Sequence, residues 1–181
     1  MTMERKVQLT PQEMMQGATI GVMRHCAAKR RNLPDRHGFK GMGWAEHIEG
    51  ACGEMAFARV MGWYYSCSVN TFKNGGDVGA IQVRTRSQHD YELIVRVDDR
   101  DDDQFVLVTG RAPDFIVRGW ILGAEAKRPK EWLQTYGNRE PAYFVPHSAL
   151  LPLELLVAHT PILEVLDAHA LALDARREMA S

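Results

Sequence analysis

Gly75-Gly76-Asp77-Val78-Gly79-Ala80-Ile81-Gln82-Val83-Arg84-Thr85-Arg86 decides how this chain is read, because its glycines set an acidic residue at the mouth of a strand whose polar side chains share one face. Side chains alternate along a strand, so Gln82, Arg84 and Arg86 point one way while Ile81, Val83 and Thr85 point the other. An amide, a guanidinium and a nearby carboxylate gathered at one spot have the chemistry to hold a hydrated divalent cation and a phosphate, as phosphodiester hydrolysis requires.

Upstream, Trp44 to Met61 reads as an amphipathic helix with Trp44, Ile48, Ala51, Cys52 and Met55 at helical spacing. Glu54 falls beside that stripe, on the side of His47, Ala51 and Ala58, whose alanines leave its carboxylate room to reach across. Glu46 and Glu49 project elsewhere and are read as solvated.

The order of a helix with Gly53-Glu54, short strands over Trp63 to Val69, Asp77 at a strand entrance and then Ile81-Gln82-Val83-Arg84 resembles the restriction-endonuclease-like PD-(D/E)XK nuclease superfamily. The resemblance covers Trp44 to Trp120. It implies an α/β (α+β by some counts) fold with a restriction-endonuclease-like core, a mixed central sheet flanked by helices. It also implies a site in which Glu54, Asp77 and Gln82 bind Mg2+ (or Mn2+), with Arg84 completing the catalytic set, and DNA as the partner. Two departures from the family pattern stand out. Gln82 replaces the usual acid, which removes a negative charge while keeping an amide oxygen able to coordinate a hard cation. Arg84 replaces the usual lysine and, being permanently charged, suits a phosphate clamp and not a base. Two functions therefore stay open: a metal-dependent deoxyribonuclease, and a catalytically silent nuclease-fold protein that binds DNA or serves in assembly. Pro113-Asp114 with Glu125-Ala126-Lys127 spells a second match, but Glu125 and Lys127 sit between Gly123 and Pro129, where a turn is expected.

With 181 residues and a formal net charge of −1, the composition is that of a single ordinary globular domain and not of a protein coating nucleic acid with its whole surface. No apolar run is long enough to span a bilayer, and the N-terminus lacks the apolar core of a secretory signal, so a cytoplasmic location is expected. Compact size and the resemblance suit a phage or mobile-element setting. Cys26, Cys52 and Cys67 form no C-x-x-C pair and read as buried thiols.

Charge is uneven along the chain. Arg24, Lys29, Arg30, Arg31, Arg36 and Lys40 face only Asp35 in their segment. With Arg86, the group from Lys29 to Lys40 reads as a DNA-backbone contact; the other reading of Lys29 to Arg31 is a solvated helix end complementing the dipole.

Thr10-Pro11-Gln12-Glu13 is a capping box that starts a helical arm over about 11–31, with Met14, Met15, Ala18, Val22 and Cys26 expected in the core. Tyr91 to Val97 and Phe105 to Val108 read as a strand and its return, with Asp98 to Asp103 as a solvated hairpin tip placed away from substrate. Phe115 to Leu122 is a further scaffold strand. A C-terminal helix is expected over about 160–180, apolar enough to dock on the domain or on a second copy as a homodimer.

Overall fold

The computed structural model describes residues 4–31, 43–69, 76–128, 130–137 and 139–156. The expected C-terminal helix lies outside them, as do Arg36 and Lys40. Among the described residues, no helix is long and apolar enough to cross a membrane.

Helix α1 (Pro11–Arg30) starts at the capping box: Thr10 Oγ1 accepts the Glu13 N–H at 3.3 Å, and the Glu13 carboxylate accepts the Thr10 N–H at 2.7 Å. These two bonds satisfy donors that a helix start leaves unpaired. The face that α1 buries is not the expected methionine stripe. Met15, Val22 and Cys26 are exposed, whereas Gly17, Ile20, Gly21 and His25 are buried. The cause is the approach of α2 (Gly43–Met61). A Cβ on Gly21 would lie 2.5 Å from Ile48 Cα, so only glycine lets the two backbones come this close.

Every residue of α2 from Ala51 to Ala58 is buried, because α1 covers one side of the helix and a sheet covers the other. Gly53 marks the sheet contact, since a Cβ there would meet Thr85 Oγ1 at 2.0 Å.

That sheet has four strands in the order β1 (Arg5–Gln8), β5 (Asp114–Leu122), β4 (Gln104–Arg111), β2 (Ile81–Arg86). The β2/β4 pair is parallel and the other two pairs are antiparallel, so the sheet is mixed, as expected. In the β4/β5 ladder Val108 faces Val117 but Leu107 faces Gly119, leaving Arg118 as the extra residue of a bulge. Alternation therefore reverses along β5. Phe115, Val117 and Trp120 all reach one core, shared with Phe57, Ile81, Val83, Val106 and Val108, while Ile121 reaches a second.

The second core adds a layer to the expected mixed sheet flanked by helices. The face of β4 bearing Phe105 and Leu107 is covered by another sheet, β3 (Leu93–Arg96), β7 (Ala142–Val145), β6 (Leu133–Gln134), through Leu93, Val95, Tyr143 and Val145. The protein is thus a mixed α+β structure, helices over one face of a mixed sheet and a small antiparallel sheet over the other. Since β3 and β4 belong to different sheets, the acidic run between them is a crossover and not a hairpin tip. Trp63 to Val69 takes no regular strand and joins no sheet ladder among the described residues.

Candidate functional site

Strand β2 forms an edge of its sheet, and two ion-pair systems meet there. On the α2 side, Glu54 is 5% exposed. Arg24 Nη1 and Nη2 donate to its two carboxylate oxygens at 2.5 and 2.8 Å, and the Tyr65 hydroxyl donates to Oε2 at 2.8 Å. Arg24 Nε also donates to the Ser68 carbonyl at 3.0 Å. Burial lifts the Glu54 carboxyl above its ordinary pKa and the nearby charge of Asp77 adds to this, against the pull of Arg24 and Tyr65. Burial opposes the Arg24 cation, but hydrogen bonding and charge from Glu54 outweigh it and raise its pKa. Burial and then Glu54 raise the Tyr65 phenol, which keeps it a donor.

Asp77 caps the free edge. Its N–H donates to the Ile81 carbonyl at 2.7 Å and its Oδ2 accepts the Val83 N–H at 2.8 Å, a tight turn made possible by Gly79 at φ +60°. Burial raises the Asp77 carboxyl, Arg84 and Arg24 draw it down, and Asp99 pushes it up. Asp77 therefore feels both ion pairs.

On the face away from α2, Arg84 Nη2 lies 3.0 Å from both oxygens of Asp99, and its guanidinium stacks over Phe105 at 5.1 Å from the ring centroid. Asp99 Oδ2 also accepts the Arg96 N–H at 2.8 Å. The acidic run is therefore not remote from the site. Asp99 clamps Arg84, while Asp101 holds Lys127 at 2.6 Å.

The sequence-predicted residues divide accordingly. Asp77 stands between the other two at the β2 edge: its charge acts on Glu54, on the α2 side, and Arg84, on the far face, acts on it. Gln82 leaves β2 on the face opposite the α2-packed Ile81 and Val83, opposite Phe105 in the ladder, and so parts from Glu54. Arg86 shares the face of Gln82 and Arg84. Lys29, Arg30 and Arg31 are exposed at the end of α1. Glu49 is not simply solvated, since it accepts the Ala112 N–H at 3.1 Å. The second match separates as expected, with Asp114 at the start of β5 and Glu125 in a short helix, α3 (Gly123–Ala126), after its end.

A magnesium ion needs oxygens free to enter an octahedral shell. Both Glu54 oxygens are held by Arg24, Gln82 lies across the strand, and among the described residues no group of three His, Cys, Asp or Glu could hold a metal. As folded, the Glu54 carboxylate is committed to Arg24 and Tyr65, and an ion would have to compete with them. The result is a buried carboxylate–guanidinium pair completed by the Tyr65 hydroxyl.

Arg24 and Tyr65 are the partners that sequence reasoning missed. The signal for Arg24 was present: Gly17, Ile20 and Gly21 set a helical stripe whose next turn falls on Arg24 and His25. Tyr65 carried no such mark. No family model matches the chain, and no match was found among the curated proteins or the solved structures.

Proposed function

We propose that this chain is a nucleic-acid-binding protein on a restriction-endonuclease-like scaffold, holding DNA through its backbone without metal-dependent cleavage. One observation carries the reading: Glu54, the carboxylate that the nuclease pattern assigns to a metal, is held two-pronged by Arg24 and hydrogen-bonded by Tyr65. Breaking a buried pair of this kind leaves an uncompensated charge, at about 3 to 5 kcal/mol. Arg84 cannot shed a proton to serve as a base. Arg84 and Arg86 on one strand face, with Lys29, Arg30 and Arg31 about 8 to 10 Å along α1 from Arg24, supply charge suited to phosphates.

Hydrolysis with magnesium is the second reading, favoured by two carboxylates from separate elements, Glu54 and Asp77, that burial holds above their ordinary range, the charge of Asp77 adding to the rise at Glu54. Labelled single- and double-stranded DNA incubated with the protein, with and without Mg2+ or Mn2+, separates the two. The expected result is salt-sensitive retention of intact DNA. Replacing Lys29, Arg30 and Arg31 together by glutamine lowers the slope of log affinity against log salt by about 2 to 3, and Asp77→Ala leaves binding in place. Metal-dependent cutting that Asp77→Ala abolishes establishes the second reading, and no retention of either DNA form sinks the first.

A further inference from the structure

The outer face of the β3–β7–β6 sheet carries a feature that the β2 edge does not use. An antiparallel sheet with one face on a core normally turns polar residues to water. Here Ile94 and Phe144 sit opposite each other on the solvent side, with Leu93, Val95, Tyr143 and Val145 taking the core side. They line a cavity of about 580 Å3, within the range of small-molecule sites. Tyr136, 56% exposed, packs edge-on against Phe144 with ring centroids 4.9 Å apart. Exposed aromatics on a sheet face form a platform on which nucleobases stack.

Three arginines, Arg86, Arg96 and Arg139, line the same cavity. Among the described residues none of them has an ion-pair partner within 4.0 Å, and the buried Arg86 Nε has no hydrogen-bond partner at all. Arg86 stacks over Tyr91 at 4.8 Å. Burial lowers its pKa, with Arg96 and Arg139 acting the same way and Tyr91 and Glu92 acting against them. Asp90, Glu92 and Glu140 line the cavity too. Equal numbers of each sign make a poor trap for a bare anion but suit a ligand that carries a phosphate at one end and an amino group at the other. Carboxylates accept hydrogen bonds from exocyclic base amines.

We infer that this cavity binds one nucleotide unit, its amino-bearing base stacked on Tyr136 and Phe144 and its phosphate held by Arg86, Arg96 and Arg139. The unit comes either from a single strand or from a free mononucleotide. The single-strand form rests on the nucleic-acid reading above, whereas the mononucleotide form does not.

Titrating the full chain with dCMP, oligo-dC, oligo-dT, duplex DNA and inorganic phosphate, by calorimetry or tyrosine fluorescence, tests the inference. Saturable binding of dCMP or oligo-dC is expected, with oligo-dT weaker. Tyr136→Ala, at an exposed position, weakens single-strand binding about five- to a hundredfold and leaves duplex binding unchanged. Tyr136→Phe retains the stack and the affinity, and Arg86→Gln weakens mononucleotide binding. Duplex binding with no affinity for dCMP or oligo-dC overturns the inference while the nucleic-acid reading stands. Mononucleotide binding without any polymer binding supports the cavity and sinks that reading. Phosphate binding as tight as dCMP, or Tyr136→Ala without effect, overturns the inference.

Discussion

The two sides of β2 treat charge in opposite ways. Toward α2, Glu54 is buried and each of its oxygens is hydrogen-bonded, so its charge is resolved within the fold. On the other side Arg84 is answered by Asp99, but Arg86 is partly buried beside Arg96 and Arg139 with an unpartnered Nε. A buried charge that is fully partnered holds architecture together and resists rearrangement. One left without a partner at a cavity wall keeps its capacity for a ligand. By that contrast Glu54 is tied into the architecture, whereas the arginine-lined sheet face keeps the unpartnered Nε on which the proposed nucleotide site rests.

Removing Arg24 is the strongest way to break the contrast. Arg24→Ala leaves Glu54 buried and unpaired and is expected to cost about 3 to 5 kcal/mol in denaturant unfolding, with Glu54→Gln in the same chain restoring part of the loss. An unchanged midpoint for Arg24→Ala means that the α2 side is not sealed, and the two sides then do not differ. Gly21→Ala probes the closeness of α1 and α2 that holds Arg24 in place. Overpacking against the Ile48 backbone costs about 1 to 3 kcal/mol, against a helix-propensity gain of at most about 1 kcal/mol, so a net loss is expected.

The smallest effect is in pH. Asp77 has its folded pKa raised from 3.8, chiefly by burial, so the folded state holds this proton more tightly than the unfolded chain does. Its contribution is therefore present at low pH and is lost as pH rises through the folded value. Asp77→Asn abolishes that titration while keeping an oxygen for the Val83 N–H. As pH rises from the ordinary carboxylate range through the raised folded value, the difference in Tm should move in favour of the variant. A difference that is flat or opposite in sign puts Asp77 outside the desolvated edge.

Much of the frame was legible in the sequence. The capping box placed the start of α1, the apolar spacing placed α2, and alternation gave β2 with the correct residues on each face. The failures share a cause, which is that their determinants lie far along the chain. The buried face of α1 is set by glycines, which have no hydropathy signal and matter only because Ile48 of α2 lies against them. Nothing local distinguishes β3, which joins β7, from a strand that turns back onto β4. The acidic run looked solvated because acids in turns commonly are, yet Asp99 lies within reach of Arg84. For the candidate site, residue types and order located Glu54, Asp77 and Arg84 at one edge. Their partners Arg24, Tyr65 and Asp99, which decide what the edge can do, come from other elements and became visible only with the fold.

Strand β1 places Arg5 beside Val117 and Val7 beside Phe115, joining the beginning of the chain to a strand made much later. Closing so large a loop carries an entropic cost that local pairs such as β4 with β5 escape. Completing the four-stranded sheet therefore carries a loop-closure cost that the β4/β5 pair does not. Without β1, β5 would present unpaired backbone along the segment that carries Phe115 and Val117. The few residues of β1 thus cover the backbone of Phe115 and Val117 and take the edge position themselves, a duty separate from anything the arginines do.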